Sequence, residues 1–258
     1  MTRCCRRSRN WRVKFFIDRP IETILNFDTS SPSDLAFWPP MGFYFLSVFF
    51  YFLLRWPMMR AVAFFDVQNL YRHAKDAFGH THPNFDPVKL HTAVCALNGW
   101  NVDQIRYYTG IPQSDRSPMW HDYWANRILS LKRQNIQTVT RPIRYRDERI
   151  LMPDGSIHIT TTPQEKGIDV RLAVDLISMA YRRLYDVAVI YSQDQDLAEV
   201  VEEVHSVSSI QHRTIELACA FPVGPNASAK RGINRTRWIK MDQNFYDLCL
   251  DPRDYRRK

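Results

Sequence analysis

Four aspartates stand at three places along the 258-residue chain. They are Asp66 in AVAFFDVQN, Asp169 in EKGIDVRLAVDL, and Asp194 with Asp196 in DVAVIYSQDQDL. Asp66 and the Asp194/Asp196 pair follow short apolar runs that read as buried strands, whereas Asp169 opens an amphipathic helix. In a parallel α/β sheet the carboxyl ends of the strands border one shared crevice. Acids placed there meet in space, and several carboxylates in one small site repel each other unless a cation joins them. The chemistry this permits is metal-assisted work on a phosphate.

Each acid has a plainer reading as well. Asp66 can cap the helix that follows it, as aspartate does well. Asn69, three residues on, can orient Asp66 or contact a phosphate oxygen. In YSQDQD, capping at a helix N-terminus explains one acid but not both. Asp194 is a candidate metal ligand, Asp196 a ligand to a second metal or a positioner of water, and Ser192 a supporting residue. Lys166 either neutralises a phosphate or is solvated. Asp175 follows Asp169 by six positions, about 240° around a helix, and reads as structural. His80 and His82 read as a surface pair. Trp120, His121, Tyr123 and Trp124 either stack bases or pack in a helix core. Arg141, Arg144 and Arg146 either track a phosphate backbone or edge a solvated hairpin.

The elements that must position these residues are legible from residue 60 onward. RAVAFF (60–65), VDQIRYYTG (102–110), IQTVTRPI (136–143), DVAVIY (186–191) and TIELACAF (214–221) read as strands. Helices are predicted over 69–79, over 86–99 with Asp86 as N-cap, Pro87 in the first turn and Gly99 after the end, and over 117–135. The last of these carries Met119, Tyr123, Ile128 and Leu131 on its apolar face. RYRDERILMPDGSIHITTT reads as a hairpin around Pro153-Asp154-Gly155. A long helix is predicted over 164–184, its stripe being Ile168, Leu172, Leu176 and Ala180 with Met179 and Leu184 beside it. A further helix follows the YSQDQD motif, 221–232 reads as a mobile surface loop whose Lys230 and Arg231 could face a ligand, and a short strand and helix end the chain. Strands that alternate with helices imply a mainly parallel sheet with helices on both faces.

Composition bounds the partners. The net charge is +8, but residues 1–60 hold nine basic and four acidic residues, a surplus of five. The remainder, with 26 basic and 23 acidic residues, is nearly neutral, so bulk charge argues little for a polyanionic partner. Five cysteines without a CxxC pair fit a reducing compartment, hence a cytoplasmic expectation, and argue against a disulfide framework or structural zinc. Residues 1–59 form an N-terminal extension. Ala36 to Leu54 is uncharged over 19 residues, near the roughly 20 that span a bilayer, yet Pro39 and Pro40 interrupt it. The seven basic residues before it would orient the main domain outward, which sits badly with its free cysteines. The competing reading is a misassigned start, with Met58 or Met59 as the natural one.

FFDVQNL, KGIDVRLAVDL and YSQDQDL, in that order, resemble the motifs of the NYN family, which belongs to the PIN-like nuclease superfamily together with LabA-like proteins. The family pattern is Asp-x-x-Asn after the first strand, Lys-Gly-Val-Asp before a long helix, and Ser-Gly-Asp-x-Asp after the fourth strand. The chain departs from it at Gln193, where Gly is usual, and at Leu197, where Phe is usual. The resemblance covers about residues 60 to 245 and implies a three-layer αβα PIN-like fold over 60–250, with a basic tail at 251–258. It implies Mg²⁺- or Mn²⁺-dependent hydrolysis of RNA phosphodiesters, with Asp66, Asp169, Asp194 and Asp196 as the metal-binding and catalytic cluster. Asn69, Ser192 and Lys166 would serve the substrate. RNA is the expected partner, while homo-oligomers and membrane association stay open. The alternatives are a non-catalytic RNA-binding or scaffold module and another metal-dependent phosphoryl-transfer enzyme. Toprim-like sites want a Glu where this chain has Asp66, and haloacid-dehalogenase-type sites want an Asp where it has Gln68.

Overall fold

The computed structural model describes residues 58–152 and 156–256. The hydrophobic segment 36–54 and the Pro153-Asp154-Gly155 turn lie outside the described residues. Among the described residues, no helix is long and apolar enough to cross a membrane.

Among the described residues the strands are β1 (Arg60–Asp66), β2 (Asn101–Ile111), β3 (Gln137–Pro142), β4 (Arg144–Leu151), β5 (Ile157–Gln164), β6 (Val187–Tyr191), β7 (Glu216–Pro222) and β8 (Arg237–Met241). The helices are α1 (Val67–Phe78), α2 (Pro87–Asn98), α3 (Pro118–Arg133), α4 (Ile168–Tyr181), α5 (Ala198–Ile210) and α6 (Gln243–Asp247). A 3₁₀ turn, Gln195–Leu197, precedes α5. Six strands form one sheet in the order β3-β2-β1-β6-β7-β8, and every adjacent pair is parallel. β4 and β5 form a separate antiparallel hairpin.

The central strands are apolar along their length because helices cover both faces. Ala61, Ala63 and Phe65 of β1 pack with Val189 and Tyr191 of β6 against α1, α2 and α3. Val62 and Phe64 point the other way, with Ile190, against α4 and α5. This alternation explains why RAVAFF and VAVIY carry no polar residue until their ends. The result is the predicted α/β architecture, a parallel sheet between two helical layers.

The helix signals acted as read. Asp86 caps α2 through the Val88 and Lys89 amides, and Gly79 and Gly99 end α1 and α2 in the left-handed conformation. Three expectations change. The helix predicted from residue 164 begins at Ile168, because Gly167 takes φ 76° and Gln164 belongs to β5. Leu184 and Met119 are exposed rather than on buried stripes, whereas Ile168, Leu172, Leu176, Met179 and Ala180 are buried. The 221–232 loop is tethered: Gln193 Nε2 donates to the Ala229 and Arg231 carbonyls, and Gln195 Nε2 to that of Gly232. A Cβ on Gly232 would stand 2.7 Å from the Phe221 ring, so only glycine lets the loop close onto β7 there.

Candidate active site

The strand order reverses direction between β1 and β6, where the chain leaves β1 toward β2 on one side and reaches β6 on the other. At such a switch point the loops diverge to opposite faces and open a crevice at the carboxyl ends. Asp66 is the last residue of β1, and Ser192 to Asp196 follow β6.

Asp66 is held from two sides. Its Oδ1 accepts the Asn69 backbone N–H at 3.2 Å, which caps α1, and its Oδ2 accepts the Ser192 hydroxyl at 3.0 Å. One oxygen of Asp66 therefore caps α1 while the other ties it to the loop after β6. Ser192 Oγ in turn accepts the Asp194 N–H at 3.1 Å, and Asp194 Oδ1 accepts the Asp196 N–H at 3.0 Å, which caps the 3₁₀ turn. Asn69 Oδ1 accepts the Gln193 N–H at 2.9 Å. The motifs after β1 and β6 are thus interlocked.

Burial pushes the Asp66 carboxyl up to about 6, the Asn69 and Ser192 hydrogen bonds oppose this, and the charges of Asp194 and Asp169 add to the rise. Asp169 sits exposed in the first turn of α4. The acids felt at Asp66 are therefore those of the other two motifs, each more than a hundred residues further along the chain. Asp196 lies exposed on the outer side of the 3₁₀ turn, and Lys166 is exposed just before Gly167. Asp175 is buried away from the crevice, where it accepts hydrogen bonds from Tyr108 Oη, Arg106 and Arg171.

One further acid enters the crevice. Glu165 sits between β5 and Gly167, half-buried, and burial pushes its carboxyl up to about 7, with the Asp66 and then the Asp169 charge adding to the rise. The Gly110 backbone N–H and the Arg72 charge oppose the rise. A Cβ on Gly110 would stand 3.0 Å from Glu165 Cδ and 2.9 Å from Ile143 Cγ1, so glycine at the end of β2 makes room for this carboxyl. Among the described residues, the enclosed Glu165 Oε1 has no hydrogen-bond partner. The sequence reading placed Glu165 inside the helix and passed over it. The available signal was Gly167, which ends the strand-to-helix link and turns the residue before Lys166 inward.

Among the described residues no three acid, imidazole or thiol side chains surround a common point closely enough to enclose an ion unaided. The acids border a crevice rather than wrap one centre. Their donors are all oxygens, Asp66 and Glu165 feel the charges of neighbouring acids, and one enclosed oxygen of Glu165 lacks a partner among the described residues. Mg²⁺ and Mn²⁺ are hard ions that use oxygen donors of this kind, one or two carboxylates at a time, with water and phosphate completing the shell.

No curated protein matches the chain. A solved structure from Vibrio parahaemolyticus RIMD 2210633, titled a protein of unknown function VPA0982, is similar at 18% identity and a TM-score of 0.45, covering 73% of this chain and 96% of its own. The model of the NYN domain matches residues 60–212, which contain all three acidic motifs, Glu165 and the crevice they border. The chain belongs to the NYN-domain family, within the PIN-like nuclease superfamily.

Proposed function

We propose that the chain is a metal-dependent ribonuclease that hydrolyses RNA phosphodiester bonds. The observation that carries this reading is the meeting of Asp66, Glu165, Asp169 and Asp194 at the switch point, where burial and neighbouring acids raise two carboxyls, Asp66 through Asp194 and Asp169, and Glu165 through Asp66 and Asp169. Asp66, Asp169 and Asp194 would hold Mg²⁺ or Mn²⁺, with Glu165 beside them. When bound, the ion would neutralise charge on the phosphate and make a water more acidic.

The protein's own groups have separable roles in this reading. Ser192 and the Asn69 amide each fix one oxygen of Asp66, so its carboxylate cannot rotate away from the crevice. The missing side chain of Gly110 leaves the space that Glu165 occupies. With its carboxyl near 7, Glu165 can keep or release a proton at neutral pH, which a general acid or base requires. Arg72, whose charge reaches Glu165, and Lys166, the next residue in the chain, are cations that could meet a phosphate. Asp196, on the outer face of the turn, would meet substrate or a second ion rather than the buried acids.

The test is cleavage of 5′-labelled single-stranded RNA in Mn²⁺. Wild type should yield shorter products, and EDTA or Asp66→Asn should abolish them while RNA binding persists. Cleavage that survives both treatments would sink the proposal.

A second reading, an RNA-binding module without cleavage, is favoured by Gln193. Its side chain, at the position where the family pattern has glycine, ties the 229–231 backbone to the loop that carries Asp194. Binding of labelled RNA without products, and gain of cleavage in Gln193→Gly, would support it.

A further inference from the structure

The carboxyl edge of the sheet carries a cavity on the helical layer of α1, α2 and α3 rather than that of α4. Its volume is about 480 Å³, within the roughly 300–1,000 Å³ of sites that take whole small ligands. It opens one residue after Asp66: Val67 and Gln68 line it, with Tyr71, Trp120, Trp124 and Arg253. The segment 251–256, which closes one side, lies beyond the residues matched by the family model.

The walls are aromatic and braced. Trp120 and Trp124 are one helical turn apart on α3, and Trp120 remains 41% exposed, a large ring with an open face. Tyr123 meets Trp120 edge-on at 5.5 Å, and Trp124 and Tyr255 at 5.7 Å each. Beneath them the buried guanidinium of Arg127 stands 5.6 Å from the Trp124 ring and donates to Tyr123 Oη, Asn84 Oδ1 and the Phe85 carbonyl. Rings locked this way lose little freedom when a flat ligand stacks on them.

The charges at the rim cancel. Arg253 pairs with Asp251 and Asp86, and Arg256 with Asp254. The cavity is therefore no anion trap. It suits a flat, neutral, polar-edged group, and Gln68, Asn84 and His82 line it as hydrogen-bonding side chains. A nucleobase has this chemistry, and base–aromatic stacking tolerates any base.

We propose that this cavity takes one unpaired base of a single-stranded RNA whose backbone crosses the switch-point crevice. The inference rests on the ribonuclease reading for its substrate class. It adds that the substrate must be single-stranded beside the scissile phosphate, because a paired base cannot leave its stack to enter.

The test uses the full chain and a fluorescein-labelled 12-nucleotide single-stranded RNA, with anisotropy read in EDTA and cleavage read in Mn²⁺. Trp120→Ala should weaken binding about 10-fold, Trp120→Phe should stay close to wild type, and a duplex of the same sequence should compete poorly. RNA carrying one 5-iodouridine should crosslink in the wild-type protein to the peptide holding Trp120 to Trp124, a readout independent of any variant's folding. Wild-type affinity in a folded Trp120→Ala variant, equal loss for duplex and single strand, or crosslinks elsewhere would overturn the cavity assignment. Cleavage with unaltered Trp120→Ala binding would leave the ribonuclease reading standing and remove the base site. Binding that depends on Trp120 but gives no products would do the reverse. Absence of RNA binding by wild type would remove both.

Discussion

Asn69 Oδ1 accepts the Gln193 backbone N–H at 2.9 Å and joins the motif after β1 to the motif after β6 across the switch point. The same residue's own N–H caps onto Asp66. Asn69 thus fixes both the acid and the loop that carries the next acid. Asn69→Ala should leave the partly buried Gln193 N–H without its acceptor, at a cost of about 1–3 kcal/mol. Urea denaturation at pH 7 measures this, and an unchanged midpoint would show that the bond does not hold the two motifs together.

Metal removal should be visible without any activity assay. The acids repel in the absence of a cation, and an ion at 100 times its Kd adds about 2.7 kcal/mol to the folded state. For a domain of this size that is a rise of roughly 5–10 °C in Tm on moving from EDTA to Mn²⁺. Asp194→Asn should shrink the rise and raise the metal-free Tm, since it removes one of the charges that Asp66 feels. An equal rise in wild type and variant, followed by differential scanning fluorimetry, would place the ion elsewhere.

Asp175 should behave as part of the scaffold. It is 5% exposed and accepts from Tyr108 Oη at 2.8 Å, Arg171 at 3.0 Å and Arg106 at 3.3 Å. Asp175→Ala leaves a mostly buried guanidinium unpaired and should cost about 3–5 kcal/mol. The folded variant should keep the full Mn²⁺-dependent rise in Tm. Loss of that rise without loss of stability would instead put Asp175 in the site.

His91 should make stability fall in mild acid. Its ring lies between the Tyr191 hydroxyl, 3.1 Å from Nδ1, and the Ala61 carbonyl, 3.3 Å from Nε2, which suits one neutral tautomer. Burial pushes its pKa down to about 4, with the Ala61 carbonyl opposing. The folded value is below the unfolded value of about 6.5, so the unfolded chain binds the proton first. The His91 contribution is complete above about 6.5 and declines as pH falls toward 4, by on the order of 3 kcal/mol. Asp66 and Glu165, whose carboxyls the fold raises, act in the opposite direction over the same range, so the test is a comparison: relative to His91→Gln, which hydrogen-bonds without titrating, wild type should lose urea midpoint between pH 7 and pH 4.5.

Much of this protein is written locally. The apolar runs ending in Asp66 and in Tyr191, the Asp86-Pro87 start and Gly99 stop of α2, and the alternation of strand and helix are short-range signals whose physical causes, burial period and capping, act within a few residues. The order of the three acidic motifs was equally visible, and so was the exclusion of Asp175, since helix geometry alone turns it away from Asp169. What only the tertiary structure decided depends on strands that pair across long separations. Placing β6 beside β1 brings Ser192 within 3.0 Å of Asp66, and nothing in either segment dictates that pairing. The left-handed Gly167 and the space left by Gly110 admit Glu165, a residue whose own surroundings in the chain read as helix. Asp194 caps the 3₁₀ turn in which Asp196 stands exposed, and Gln193 and Gln195 fasten a loop that sequence presents as free. Local propensity sets which residues end a strand, while convergence of their charges follows from sheet order, which is a property of the whole chain's packing.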